Sequence, residues 1–187
     1  VYRWYDKAVI VLGTGDARDI AERFNKKYGE TFKLPEPVIL KSGAKIYDLV
    51  DPTKKMSKSS ENPKGVIRLL DDVNVTRKKI MSATTDSEMV IKYDPENKPG
   101  ISNLITIYSC LTGTSIPEVV AKFNGSNYGT FKGAVADVVV KEIESIQERY
   151  NAILNSEELD HILDEGRDYT RAIAKAKYDL MKEKMGL

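Results

Sequence analysis

The chain has 187 residues, 30% of them charged and 41% hydrophobic, and a net charge of +1. These values suit an ordinary soluble globular protein of one domain or slightly more, and whole-molecule charge gives no reason to expect nucleic acid as a partner. The longest apolar runs, such as Ala8-Val9-Ile10-Val11-Leu12, are far too short to cross a bilayer, and no signal-peptide pattern opens the chain.

Val9 to Leu12 reads as a short strand. Gly13-Thr14-Gly15-Asp16 then leads into a helix over residues 17–28, with Ile20, Phe24 and Tyr28 on one face. Asp16 suits an N-cap and Gly29 a stop. The turn has the Gly-x-Gly start of a dinucleotide fingerprint but carries Arg18 where the third glycine belongs. Gly13, Gly15 and Asp16 are therefore weak nucleotide-binding candidates, and a tight strand-to-helix connection explains them as well. Val38-Ile39-Leu40 and Lys45-Ile46-Tyr47 read as two short strands around Ser42-Gly43. Residues 51–65 hold two prolines, one glycine and many polar groups without periodicity, so they form a surface loop.

Helical character follows. Asn74 or Thr76 caps a segment running to about Ala83, and a second helix covers about 101–112 and stops at Gly113. Ser115-Ile116-Pro117-Glu118 has the spacing of a capping box, and Gly125 to Gly129 breaks the helix it starts. Val135, Val139, Ile143, Ile146, Tyr150 and Ile153 mark a long amphipathic helix. A final helix follows Asn155-Ser156, and the short connection predicts that the last two pack as an antiparallel hairpin. The fold expected is thus the tail of an α/β unit carrying a loop over 1–70, followed by an all-α helical bundle over 71–187, mainly α overall. Cys110, the sole cysteine, excludes an intramolecular disulfide, fits a reducing compartment, and reads as a core thiol. The chain opens on Val1 rather than Met, which reads as a piece of a longer protein or an engineered form.

The chemistry concentrates in Lys55-Met56-Ser57-Lys58-Ser59. Residues 45–82 hold nine Lys/Arg against five Asp/Glu, whereas residues 141–187 hold eight against eleven, so positive charge gathers around this loop. Two lysines three residues apart, surrounded by hydroxyls on a loop, suit a polyanion whose negative charge grows as it reacts. A solvated charged turn is the plain alternative. Arg77-Lys78-Lys79 is a basic stretch of the same kind, readable as a nucleic-acid contact or a solvated helix face.

Asp51-Pro52-Thr53-Lys54-Lys55-Met56-Ser57-Lys58-Ser59 resembles the signature loop of class I aminoacyl-tRNA synthetases in its tryptophanyl, bacterial-type form. Arg18 to Asn25, Thr85-Asp86-Ser87-Glu88, Lys98-Pro99-Gly100-Ile101-Ser102-Asn103-Leu104 and Tyr128-Gly129-Thr130-Phe131-Lys132 are similar to that family too, so the likeness runs from about residue 17 to the end. It implies ATP-dependent activation of tryptophan to the adenylate and transfer to tRNA(Trp), in the cytoplasm, with Mg²⁺ accompanying the ATP. Lys55 and Lys58 would contact the phosphates. Backbone amides and hydroxyls of Met56, Ser57 and Ser59 would assist, and Ile46 would meet the adenine. Residues 1–70 would be an α/β remnant of the family's nucleotide-binding, Rossmann-like domain, and the helical part, 71–187, would be the domain that meets the anticodon stem-loop.

The family's His-containing signature is absent, since His161, the only histidine, lies in a C-terminal helix. The family's tryptophan pocket belongs to the half that has no counterpart here. A family dimer interface in that half would go with it, which argues against a family-like homodimer. The chain is thus expected to be an incomplete form with impaired activity. The alternatives are a non-catalytic module for the tRNA anticodon arm, or a structural fragment.

Overall fold

The computed structural model describes residues 14–35, 45–154 and 156–187, with the side chains of 14–16 excepted. The helices are α1 (Thr14–Tyr28), α2 (Val73–Met81), α3 (Pro99–Thr112), α4 (Ile116–Lys122), α5 (Tyr128–Leu154) and α6 (Glu158–Met185), with one 3₁₀ turn at Pro63–Gly65. Among the described residues there is no strand, only an isolated antiparallel bridge between Tyr47 and Lys55. The strands expected at Val9–Leu12 and Val38–Leu40 lie outside the described residues, and Lys45–Tyr47 contributes only that bridge.

The described residues divide into two compact units, 14–35 with 156–187, and 45–154. The boundary expected at 70/71 falls inside the second. The two long helices expected to form one hairpin fall in different units, α5 in the second and α6 in the first.

In the first unit, α1 begins at Thr14, so Gly15 and Asp16 lie in its first turn rather than in a turn before it. Gly29 ends α1 at φ +85°, a conformation open to glycine, while its N–H returns to Asn25 O at 2.9 Å. The Asn25 side chain then fixes the exit. Its Oδ1 accepts from Thr31 N at 3.0 Å and Phe32 N at 2.9 Å, and its Nδ2 donates to Phe32 O at 2.7 Å. That turn sets Phe32 edge-on against Phe24, with ring centroids 5.1 Å apart. Lys177 of α6 donates to Thr31 O at 2.7 Å. No residue of α6 is buried; His161 stands exposed on it, 3.7 Å from Glu165.

The second unit holds the apolar core. Tyr128, Phe131, Val135, Ala136, Val139 and Ile143 line one buried face of α5 at helical spacing. α2 and α3 pack against α5, and α4 packs against α3. Phe123 and Phe131 meet edge-on at 4.8 Å, and Tyr108 meets Phe123 at 5.3 Å. Leu49, ahead of the lysine-serine loop, is fully buried in the same core, which is why 45–70 belongs to this unit.

Local chemistry sets the helix ends. Asp72, not Asn74 or Thr76, caps α2, its carboxylate accepting from Asn74 N at 2.7 Å and Val75 N at 3.3 Å. The Ser115–Glu118 capping box forms as expected, and the two Ser115 donors hold the Glu118 carboxyl below its ordinary range. α5 starts at Tyr128 despite Gly129 and Gly133, because burial of Tyr128 and Phe131 offsets the ~1 kcal/mol helix penalty of each glycine. Cys110, expected in the core, is exposed at the end of α3.

Candidate functional site

The lysine-serine loop has a fixed stem and a loosely held tip. Met56 N donates to Ile46 O at 2.9 Å and Asp48 N to Lys54 O at 2.8 Å, on either side of the Tyr47–Lys55 bridge. Residues 46–48 and 54–56 are thereby zipped antiparallel. The turn between them is written in Asp51-Pro52-Thr53. The Asp51 carboxylate accepts from Thr53 N and Thr53 Oγ1, and Lys54 N donates to Asp51 O at 3.0 Å. The buried carboxylate of Asp48 holds the preceding backbone, accepting from Val50 N at 2.8 Å and Asp51 N at 3.0 Å.

The stem is fastened to the helices at three further points. Asn103 of α3 accepts from Tyr47 N at 2.9 Å and donates to Tyr47 O at 2.8 Å. Thr84, after α2, donates from N to Leu49 O at 2.8 Å and from Oγ1 to Val50 O at 2.7 Å. Leu49 N donates to Gly65 O at 3.0 Å. A Cβ on Gly65 would lie 2.0 Å from the Asp48 carboxylate, so no side chain fits there unless that carboxylate moves.

Among the described residues the tip has only short-range bonds. The Ser57 and Ser59 hydroxyls pair at 2.9 Å, and Ser60 N donates to Ser57 O at 3.0 Å. Half-buried Met56 anchors its start against the core. Lys54 is tied to Asp51 at 2.9 Å; the Thr53 hydroxyl and then Lys54 hold the Asp51 carboxyl down to about 2, and Asp51 raises the Lys54 ammonium in turn. Lys55 and Lys58, by contrast, are exposed and make no ion pair or side-chain hydrogen bond with any described residue. Two adjacent lysines thus differ, one neutralised locally and one available.

The other sequence candidates are placed less simply. Ile46 packs its side chain on the core, and its carbonyl accepts from Met56 N. Gly13 lies outside the described residues, and Gly15 and Asp16 belong to the first unit whereas the loop belongs to the second. A cleft of about 290 Å³ beside the stem is lined by Tyr47, Pro52, Thr53, Tyr93, Asn103 and Thr106 among others, but by neither Lys55 nor Lys58.

Three of the motif runs singled out in the sequence meet in one polar cluster. Lys98 contacts Asp86 at 2.9 Å and Glu88 at 2.7 Å, and the Tyr128 hydroxyl lies 2.8 Å from both Asp86 oxygens. Burial pushes the Asp86 carboxyl up, but the Lys98 ammonium and Tyr128 hydroxyl outweigh it and hold it below its ordinary value. Glu88 and then Asp86 raise the Lys98 ammonium. Lys132 reaches across to Ala83 O at 2.7 Å, and burial lowers its ammonium. These residues organise the scaffold and do not extend the loop's cationic tip. Two of the three cations in the basic run Arg77-Lys78-Lys79 are also paired, Arg77 at the surface and Lys79 in the interior. Arg77 pairs with Asp137 at 2.6 Å, and buried Lys79 holds Asp71 at 2.7 Å and Val66 O at 2.8 Å, leaving Lys78 as the exposed member.

The family model described as tRNA synthetases class I (W and Y) matches residues 10–144. The chain belongs to that family. Within it, a tryptophan–tRNA ligase from Halalkalibacterium halodurans is 54% identical over 170 residues, covering 91% of this chain and 52% of the relative. The structure of tryptophanyl-tRNA synthetase from Mycoplasma pneumoniae superposes with a TM-score of 0.84 at 35% identity, over 91% of this chain and 51% of that one. That from Campylobacter jejuni, complexed with ADP and tryptophan, gives 0.62 at 30% identity, over 93% and 53%. This synthetase-family chain spans about half the length of the relatives it matches. Asn103 and Thr84 are the site residues that sequence reasoning missed. Asn103 stands in the run Lys98–Leu104, but nothing local ties it to Tyr47, 56 residues away.

Proposed function

We propose that residues 45–65 form the phosphate-binding part of an ATP site for tryptophan activation, and that the helices α2–α5 belong to a part that meets the anticodon arm of tRNA(Trp). The observation that carries the reading is the contrast within the loop. Lys54 is paired, while Lys55 and Lys58 project from a fixed stem without partners among the described residues. In adenylate formation the tryptophan carboxylate attacks the α-phosphorus and pyrophosphate departs with growing negative charge. Two ammonium groups held at the edge of a fixed stem stabilise that charge without a covalent step. The Ser57 and Ser59 hydroxyls and nearby backbone amides add donors.

The residues present fit the phosphates. Mg²⁺ would accompany the ATP, held mainly by phosphate oxygens and water, as this ion usually is in nucleotide sites. Among the described residues no single helix is long and apolar enough to cross a membrane, and the reading places the protein in the cytoplasm with translation. The chain spans about half of its relatives, so the tryptophan pocket and the remaining ATP contacts would come from outside 45–154. Turnover by this chain alone should be weak.

The test is pyrophosphate exchange with tryptophan, Mg²⁺ and ATP, alongside ATP binding. Weak exchange with measurable ATP binding that is lost in Lys58→Ala supports the reading. ATP binding unaffected by Lys58→Ala removes the loop from the site, and turnover equal to a full-length relative removes the claim of impairment.

A further inference from the structure

We infer that Asn103 is a positioning residue that sets where Lys55 and Lys58 stand, which deepens the nucleotide reading above and rests on it. Asn103 is 4% exposed, and both polar ends of its carboxamide are spent on one residue, Tyr47. A backbone segment such as 46–48 normally satisfies its outer N–H and C=O groups on a neighbouring strand. No strand runs among the described residues, and the Asn103 amide supplies one donor and one acceptor in its place. The opposite neighbour of Tyr47 is Lys55, through the antiparallel bridge. A line of hydrogen-bonded groups therefore runs from α3 through Tyr47 to the first lysine of the tip.

The far end of that line is itself fixed. α3 starts at Pro99, directly after Lys98 in its cluster with Asp86 and Glu88. Gly100 packs so closely on the 84–85 backbone that a Cβ there would lie 2.1 Å from Thr84 O. Thr84 in turn holds Leu49 and Val50 of the stem. Asn103 thus joins a rigid helix start to a rigid stem, and the tip beyond Met56 moves from a defined origin. An aspartate at 103 would keep the acceptor for Tyr47 N but lose the donor to Tyr47 O. An alanine would lose both and leave two backbone groups unmet.

The experiment uses the full chain with Asn103→Ala, the isosteric Asn103→Asp, Val135→Ala as a core control, and Lys58→Ala alone and combined with each Asn103 change. Two readouts are taken where all variants are folded. These are Mg²⁺–ATP affinity, and amide hydrogen exchange at Tyr47, Asp48 and Met56 without ligand. Misplacement of a positioned group by about 1 Å can cost up to ~100-fold, so the Asn103 changes should weaken ATP about tenfold or more while Val135→Ala leaves it unchanged. Lys58→Ala should then add less than about twofold in the Asn103 background, because coupled residues are not additive. Exchange at the three stem amides should rise in the Asn103 variants alone. Equal ATP affinity, or an undiminished Lys58→Ala effect in the Asn103 background, overturns the proposal. If the unsubstituted chain binds no ATP, the nucleotide reading falls. Exchange then decides whether Asn103 fixes the stem at all, and unchanged exchange at Tyr47 and Met56 overturns that as well.

Discussion

The polar cluster around Lys98 and the tip around Lys58 are built from the same side chain and put it to opposite uses. Lys98 is nearly enclosed and surrounded by Asp86, Glu88 and the Tyr128 hydroxyl, so its charge is consumed in holding α3 and α5 together. Lys58 is exposed on a segment whose bonds span two or three residues. The comparison teaches that lysine-containing motif runs in one chain divide into those that fix geometry and those that present charge. Partnering, rather than position in a motif, tells them apart. Lys79 and Lys132 fall with Lys98, and Lys55 with Lys58.

The sharpest way to probe the scaffold side is Phe131→Ala. Phe131 is fully buried among Tyr108 and Phe123, and its truncation should cost about 3–5 kcal/mol in a chemical denaturation experiment. A loss below 1 kcal/mol would mean that the core is not packed as described. On the tip side, Lys58→Ala should change stability by less than about 0.5 kcal/mol. The same variant should lower the residual rate of pyrophosphate exchange by on the order of 10²–10³. A comparable loss of stability would break the division between the two regions.

A third probe is pH. The Asp86 carboxyl sits below its ordinary value of 3.8 in the folded chain, so the unfolded chain binds its proton first as pH falls. Its contribution is complete above that ordinary value and disappears as pH drops through the lower folded value. Asp86→Asn should therefore cost about 1–3 kcal/mol at neutral pH and flatten the stability profile below pH 4. Identical acid profiles for the two proteins would show that the cluster is not what acid disrupts. The smallest effect expected is Thr76→Val. Thr76 Oγ1 is buried with no hydrogen-bond partner among the described residues, so its removal should be neutral or stabilising by up to ~1 kcal/mol in thermal melts.

Much of this was readable from local pattern. The Ser115–Glu118 box, the Gly113 stop at φ +70° and the α5 stripe all depend on residues within one or two turns of each other. The lysine-serine loop was readable for the same reason, since five adjacent residues carry its character. What escaped were contacts between distant segments. Nothing in Arg77-Lys78-Lys79 shows that Asp137 and Asp71 will claim its outer two cations. Nothing in Asp86 shows that Tyr128 will reach it across 42 residues. Cys110 misled because an apolar sequence neighbourhood does not fix which side of a helix faces the core. α5 began earlier than its glycines suggested because tertiary burial outweighed local propensity.

The exposure of Cys110 has a practical consequence. It is the chain's sole thiol, so a maleimide dye can be attached at one position without removing any other cysteine. It shares α3 with Asn103, seven residues on, or about 10 Å along the helix axis at 1.5 Å per residue. With an acceptor fluorophore introduced at Ser60, energy transfer would follow the loop tip against a reference fixed to the same helix that holds its stem.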